Sequence, residues 1–189
     1  VEETNSIGLR YGATVSKYDM MNKLLNGLKD NPYSRRHLLN LYQYADFEET
    51  DGLYPCFFQC MFSVSHRGDS DDMYLDMTLT SRANDYLVAG FVNRIQYLAL
   101  LMMVAKHVNM KVGTFNVLVQ SLHIYDKHIE QAEETIKRIH ELKKRDSQSH
   151  PVLKLNVEDG TDFYSITAED FELVDYNPIT PQLKFEVAV

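Results

Sequence analysis

The segment 91–108 constrains this chain more than any other. Its most apolar part, residues 95–105, falls well short of the ~20 residues that a membrane-spanning helix needs, and Arg94, Lys106 and His107 flank it. A helix this apolar belongs in a core, so the rest of the chain must supply what surrounds it. The bulk properties agree. The chain has 189 residues, 44% of them hydrophobic and 24% charged, which suits one globular domain with a proper core.

The other periodicities say what that surround is. Residues 17–30 place Met20, Met21, Leu24, Leu25 and Leu28 at helical spacing, and Asn31-Pro32 ends that helix. Residues 36–44 read as a strand. Residues 55–64 read as a second strand, so nearly continuously apolar that burial on both faces is expected. After a polar turn at residues 68–72, Leu75, Met77 and Leu79 alternate with Asp76, Thr78 and Thr80, which marks a third strand. Residues 115–122 form another. Residues 124–145 carry Ile129, Ala132, Ile136, Ile139 and Leu142 on one face of a helix. Strand-like pieces follow at 152–157, 171–175 and 182–189. The expected fold is α+β, a sheet packed by a long buried helix.

A net charge of −8 argues against non-specific nucleic-acid binding, and an anionic substrate would need local arginines. The two cysteines, Cys56 and Cys60, are spaced C-x-x-x-C, which fits no common zinc pattern and makes no disulfide scaffold. A reducing, cytoplasmic setting is expected. The chain opens at Val1 with no charged-then-apolar leader.

Cys56 follows Pro55 at the start of the second strand. Taken alone it reads either as a small core hydrophobe or as a nucleophile, which would need cations beside it. Arginines are at hand in Ser34-Arg35-Arg36 and in Arg82-Ala83-Asn84-Asp85. Their forked donors match phosphate oxygens, although ordinary surface pairing is the commoner use of each.

Taken in order, these segments resemble thymidylate synthase, and the resemblance covers nearly the whole chain. Pro55-Cys56 matches the family's nucleophile, and Ser34-Arg35-Arg36 matches the arginines that reach the nucleotide phosphate across a dimer interface. The resemblance therefore implies a homodimer formed through a face of the sheet. Arg82 matches a further phosphate arginine, and Asp85 matches the aspartate that holds the folate. Asn93 matches the asparagine paired to the uracil edge. His123 and Tyr125 match the His-x-Tyr that holds the sugar hydroxyl. The apolar end Val187-Ala188-Val189 matches the tail that closes over the co-substrate, 5,10-methylenetetrahydrofolate. No metal is implied.

The departures set the remaining expectations. Phe57 stands where the family has histidine, and Ala83 where it has serine. Gln120-Ser121-Leu122-His123 replaces Gly-Asp-x-His, and there is no tryptophan. The family's N-terminal segment has no counterpart, so residues 1–189 are expected to be one domain without it. Several of these features resemble the phage deoxynucleotide hydroxymethylases. That leans the expected product toward hydroxymethyl on a uridylate, deoxyuridylate favoured, since the Asn93 amide can both donate to and accept from a uracil edge. A true thymidylate synthase making a methyl product stays open, as does a non-catalytic nucleotide-binding relative.

Overall fold

The computed structural model describes residues 8–48, 52–143 and 150–186. Four strands, β1 (Leu38–Asn40), β2 (Phe57–Ser65), β3 (Tyr74–Asp85) and β4 (Lys111–His123), form one sheet in that order. The β1–β2 and β2–β3 pairs are antiparallel and β3–β4 is parallel, so the sheet is mixed. A parallel pair needs a long crossover. Here it is a π turn, Tyr86–Gly90, running into a helix over Phe91–His107.

Before the sheet come α1 (Gly12–Lys17) and α2 (Met20–Asp30), and between β1 and β2 lies the short α3 (Tyr44–Phe47). The crossover helix is α4. A 3-10 turn, Asp126–His128, leads into α5 (Ile129–Lys143). Strands β5 (Val152–Leu155) and β6 (Phe171–Val174) make a separate antiparallel pair.

The core lies against one face of the sheet. Leu39, Cys60, Phe62, Leu75, Met77 and Leu79 meet Leu24, Leu25 and Leu28 of α2 and Tyr97, Leu101 and Val104 of α4. Each fully buried leucine contributes roughly 2 kcal/mol over leaving it in water. The strand period of two fixes the register. A one-residue slip of β3 would bring Asp76, Thr78 and Thr80 into the core in place of Leu75, Met77 and Leu79.

Several expectations are corrected. The helix expected over 17–30 is present as α2 but starts at Met20, because Asp19 adopts a left-handed backbone (φ 51°) that separates it from α1, which ends at Lys17. The strand expected at 36–44 pairs only over Leu38–Asn40, and residues 44–47 turn helical. Burial of β2 on both faces does not hold in this chain. Cys60 and Phe62 are buried, but Met61, between them on the opposite face, is 40% exposed, because none of the described residues covers that side of the sheet. In α5 the stripe Ile129, Ile136 and Ile139 is likewise exposed. Residues 182–186 form no strand, and the rest of the expected tail, Val189 included, lies outside the described residues.

Candidate active site

Pairing in the sheet decides which expected residues meet. β2 enters at Phe57 opposite Ser81 of β3, with a bulge between Phe57 and Gln59. Bulges of this kind re-aim side chains and recur beside functional positions. Because β2 runs antiparallel to β3, Cys56 at its start lies beside Arg82 toward the end of β3, and the Arg82 amide donates to the Cys56 carbonyl (2.9 Å). The Arg82 side chain turns back along the same loop. Its Nε donates to Pro55 O (3.1 Å) and its Nη2 to Tyr54 O (2.9 Å). Cys56 is half-buried.

The second thiol is unlike the first. Cys60 is fully buried, and burial pushes its pKa up to about 12, so it stays an uncharged thiol packed in the core. Phe57, one of the departures, is also a core residue. It is buried with its ring 5.6 Å from that of Tyr97.

The parallel β3–β4 pair brings the next residues together. Asp85 lies level with His123, and Asn84 with Leu122, at the carboxyl ends of the two strands. Beyond His123, the Tyr125 ring meets the His123 ring edge-on at 5.2 Å. Asn93, in the first turn of α4, accepts from Asn84 Nδ2 at 3.5 Å. Asp85 caps the helical segment that follows β3, accepting from the Val88 amide (3.3 Å). Cys56, Arg82, Asp85, Asn93, His123 and Tyr125 therefore share one end of the sheet.

Arg35 and Arg36 do not. Leu38 pairs with Met61, and the Phe62 amide donates to His37 O. The two arginines thus lie level with the far end of β2, about seven residues or roughly 20 Å along the strand from Cys56. Both are exposed. A cavity of about 280 Å³ lined by Met102, Lys106, Met110 and Leu155 is also remote from Cys56, at the opposite end of α4. Among the described residues, no cluster of His, Cys, Asp and Glu could hold a metal ion.

One member of the site went unread in the sequence. The hydroxyl of Tyr11, which precedes α1, accepts the Cys56 amide proton at 3.0 Å. Burial raises the Tyr11 pKa and outweighs the lowering by the hydrogen bond from the Cys56 amide, so the phenol stays protonated. Forty-five positions separate the two residues, and no local pattern marks that contact. Asn84, which orients Asn93, is detectable only once β3 is known to run to Asp85.

Comparison with known proteins identifies the family. A sequence profile described as thymidylate synthase matches residues 1–189. This chain belongs to the thymidylate synthase family. The thymidylate synthase of Streptococcus sanguinis (strain SK36) is 53% identical over 189 residues, which is all of this chain and 65% of that protein. That of Lactococcus lactis subsp. lactis (strain IL1403) is 55% identical over 184 residues, covering 97% of this chain and 63% of the relative. A solved structure, the thermostable thymidylate synthase A from Bacillus subtilis, superposes with a TM-score of 0.81 at 29% identity, over 100% of this chain and 66% of that one. The chain spans just under two-thirds of the length of the relatives it matches. All three relatives are named for thymidylate synthase and none for a hydroxymethylase, so the lean toward a hydroxymethyl product finds no support in them.

Proposed function

We propose that this chain carries the chemistry of a thymidylate synthase: transfer of the one-carbon unit of 5,10-methylenetetrahydrofolate to C5 of deoxyuridylate, giving thymidylate and dihydrofolate. The observation that carries this reading is the meeting of Cys56, Arg82 and Tyr11 at the sheet end that also holds Asn93, His123 and Tyr125. The methyl outcome is preferred because the relatives are synthases by name.

Cys56 thiolate adds to C6 of the pyrimidine, and the electron pair of the C5–C6 bond makes C5 the nucleophile. C5 then bonds to the one-carbon unit of the folate and loses its proton. Tetrahydrofolate departs, leaving an exocyclic methylene. Hydride from tetrahydrofolate reduces that methylene to methyl as the Cys56–C6 bond breaks, and the folate leaves as dihydrofolate. Arg82 pairs with the phosphate of the nucleotide, Asn93 reads the uracil edge, and His123 with Tyr125 holds the sugar. Asp85 orients the folate, and the tail ending at Val189 excludes water from the methylene. Residue 186 reaches this end of the molecule, since its carbonyl accepts from His128 Nε2 at 2.9 Å, three residues after Tyr125.

Arg35 and Arg36 enter this scheme from a second copy. Their position roughly 20 Å along β2 from Cys56 keeps them from the phosphate at their own thiol. The uncovered sheet face offers a partner its seat. The working protein is then a homodimer with two sites, each completed by the other chain.

The test mixes the protein with deoxyuridylate and methylenetetrahydrofolate, resolves the nucleotide product by mass and follows dihydrofolate in the same tube. Thymidylate with matching dihydrofolate is expected, and Cys56→Ser should abolish it while nucleotide still binds. Hydroxymethyl-deoxyuridylate without dihydrofolate would move the reading to the hydroxymethylase branch. Absence of product, together with no covalent adduct from 5-fluoro-deoxyuridylate, would overturn it.

A further inference from the structure

Arg10 belongs to no sequence motif, yet it is one of the most buried charged residues described, at 3% exposure. Its guanidinium is spent on main-chain carbonyls. Nε donates to Leu53 O (3.1 Å), Nη2 to Gly52 O (3.1 Å), and Nη1 to Asp46 O (3.0 Å) and Leu9 O (2.9 Å). The guanidinium carbon sits 4.7 Å from the centre of the Phe47 ring and 5.7 Å from that of Tyr54, and these two rings stack on each other at 4.4 Å. Arginine suits this post because its donors form a rigid planar fork with an apolar face.

Every one of those contacts, Leu9 apart, falls on the stretch leading to Cys56. Arg82 takes over where Arg10 stops, binding the carbonyls of Tyr54 and Pro55, and Tyr11, next to Arg10 in sequence, accepts the Cys56 amide. Consecutive carbonyls from Gly52 to Pro55 are thus held by two guanidinium groups, and the following amide by a phenol. So many fixed donors on one short irregular loop go beyond what closing the core requires, and displacing a reacting atom by about 1 Å can cost 10²-fold in rate.

We propose that Arg10 is a positioning residue that sets the location of Cys56 by clamping the loop in front of it. The assignment deepens the proposed function and rests on Cys56 being the nucleophile. Arg10 touches no reacting atom in this scheme, and acts through residues 52–55.

Two variants test it, Arg10→Met, which keeps the stem and removes the fork, and Arg10→Lys, which keeps the charge with a smaller donor set. Backbone amide exchange is measured at Tyr54, Cys56 and Phe57, with Leu75, Met77 and Leu79 of β3 as internal control. Adduct formation with 5-fluoro-deoxyuridylate and methylenetetrahydrofolate is timed, and deoxyuridylate affinity is titrated separately. In Arg10→Met, exchange at Tyr54, Cys56 and Phe57 should rise about tenfold with β3 unchanged, and adduct formation should slow by about 10- to 100-fold while affinity stays within about twofold. Arg10→Lys should recover part of the rate. Unchanged loop exchange in both variants would overturn the assignment, as would adduct rate and affinity falling by one common factor. If Arg10→Met does not fold, Arg10→Lys carries the same comparison at smaller amplitude. Should the unsubstituted protein form no adduct at all, the proposed function fails while the exchange measurement still decides the clamp.

Discussion

Asp46 is fully buried, and a buried carboxylate is tolerable only when its charge is answered. Lys17 Nζ lies 2.7 Å from its Oδ1 and the Tyr18 hydroxyl 2.9 Å from the same atom. Burial by itself would raise the Asp46 pKa, but the hydrogen bonds from Lys17 and Tyr18 outweigh it and hold the carboxyl below its usual value of 3.8. The sign of the pH dependence follows. A depressed folded-state value means stability that is full above about pH 4, fades as pH falls through the folded value, and is gone below it. Asp46→Asn should therefore lower stability by about 2 kcal/mol near neutral pH. The gap between the two melting temperatures should close in acid; a gap that persisted unchanged to about pH 2 would show that charge pairing is not its source. None of this was readable beforehand, because Lys17, Tyr18 and Asp46 meet only through the packing of α1 against α3. Cys56, Arg82 and Asn93 were readable as candidates, since each sits in a short local motif. Tyr11 and Arg10 were not, because what marks them is a contact some 45 residues away in sequence.

The β3–β4 junction shows the same division among the elements. Alternation in residues 75–80 and the apolar run over 91–108 gave a strand and a helix in sequence, and both are present because one face of each is buried. What alternation could not give was the extent of the pairing or its irregularities. β3 runs on to Asp85 through Arg82 and Asn84, beyond the alternation that marks residues 75–80. Between Leu75 and Met77 the register against β4 shifts, and Gly113 fills that place. A Cβ there would lie 2.7 Å from Leu75 O and tighter still against the Asp76 carboxylate, which already accepts from the Thr114 amide at 2.5 Å. The obstruction includes main chain of a central strand, which cannot swing away as a side-chain end can. Gly113→Ala should therefore cost about 1–3 kcal/mol through overpacking, seen as a melting temperature several degrees lower. An unchanged melting temperature would mean that the bulge relaxes freely.

At the scale of the whole molecule, the sheet has one face under α2 and α4 and, among the described residues, one face open. On the open side Leu38, Met61 and Leu118 stand clear, Leu118 at 56% exposure, among Gln59, Thr78, Thr80 and Asn116. A strand pattern as apolar as residues 55–64 is what a doubly covered sheet produces, and the proposed homodimer would supply the second layer that the described residues do not. Arg35 and Arg36 at the far end of β2 point to the same arrangement, because a second copy related by a two-fold axis across that face would bring each arginine pair toward the other copy's Cys56 end. Sedimentation equilibrium should give twice the 21.9 kDa chain mass. Leu118→Glu, which sets a charge on the open face midway along the edge strand β4, should return the mass to that of one chain and remove activity. A mixing experiment then separates a dimer that merely forms from one that shares its sites. Cys56→Ser and the double variant Arg35→Ala, Arg36→Ala are each expected to be inactive alone. Refolded together, half of the dimers are mixed, and in each of those one site carries both lesions and the other none. About a quarter of full activity should reappear. Activity that stayed at zero, in a mixture shown by mass to contain the mixed dimer, would mean that the arginines serve their own chain and that the open face has another use.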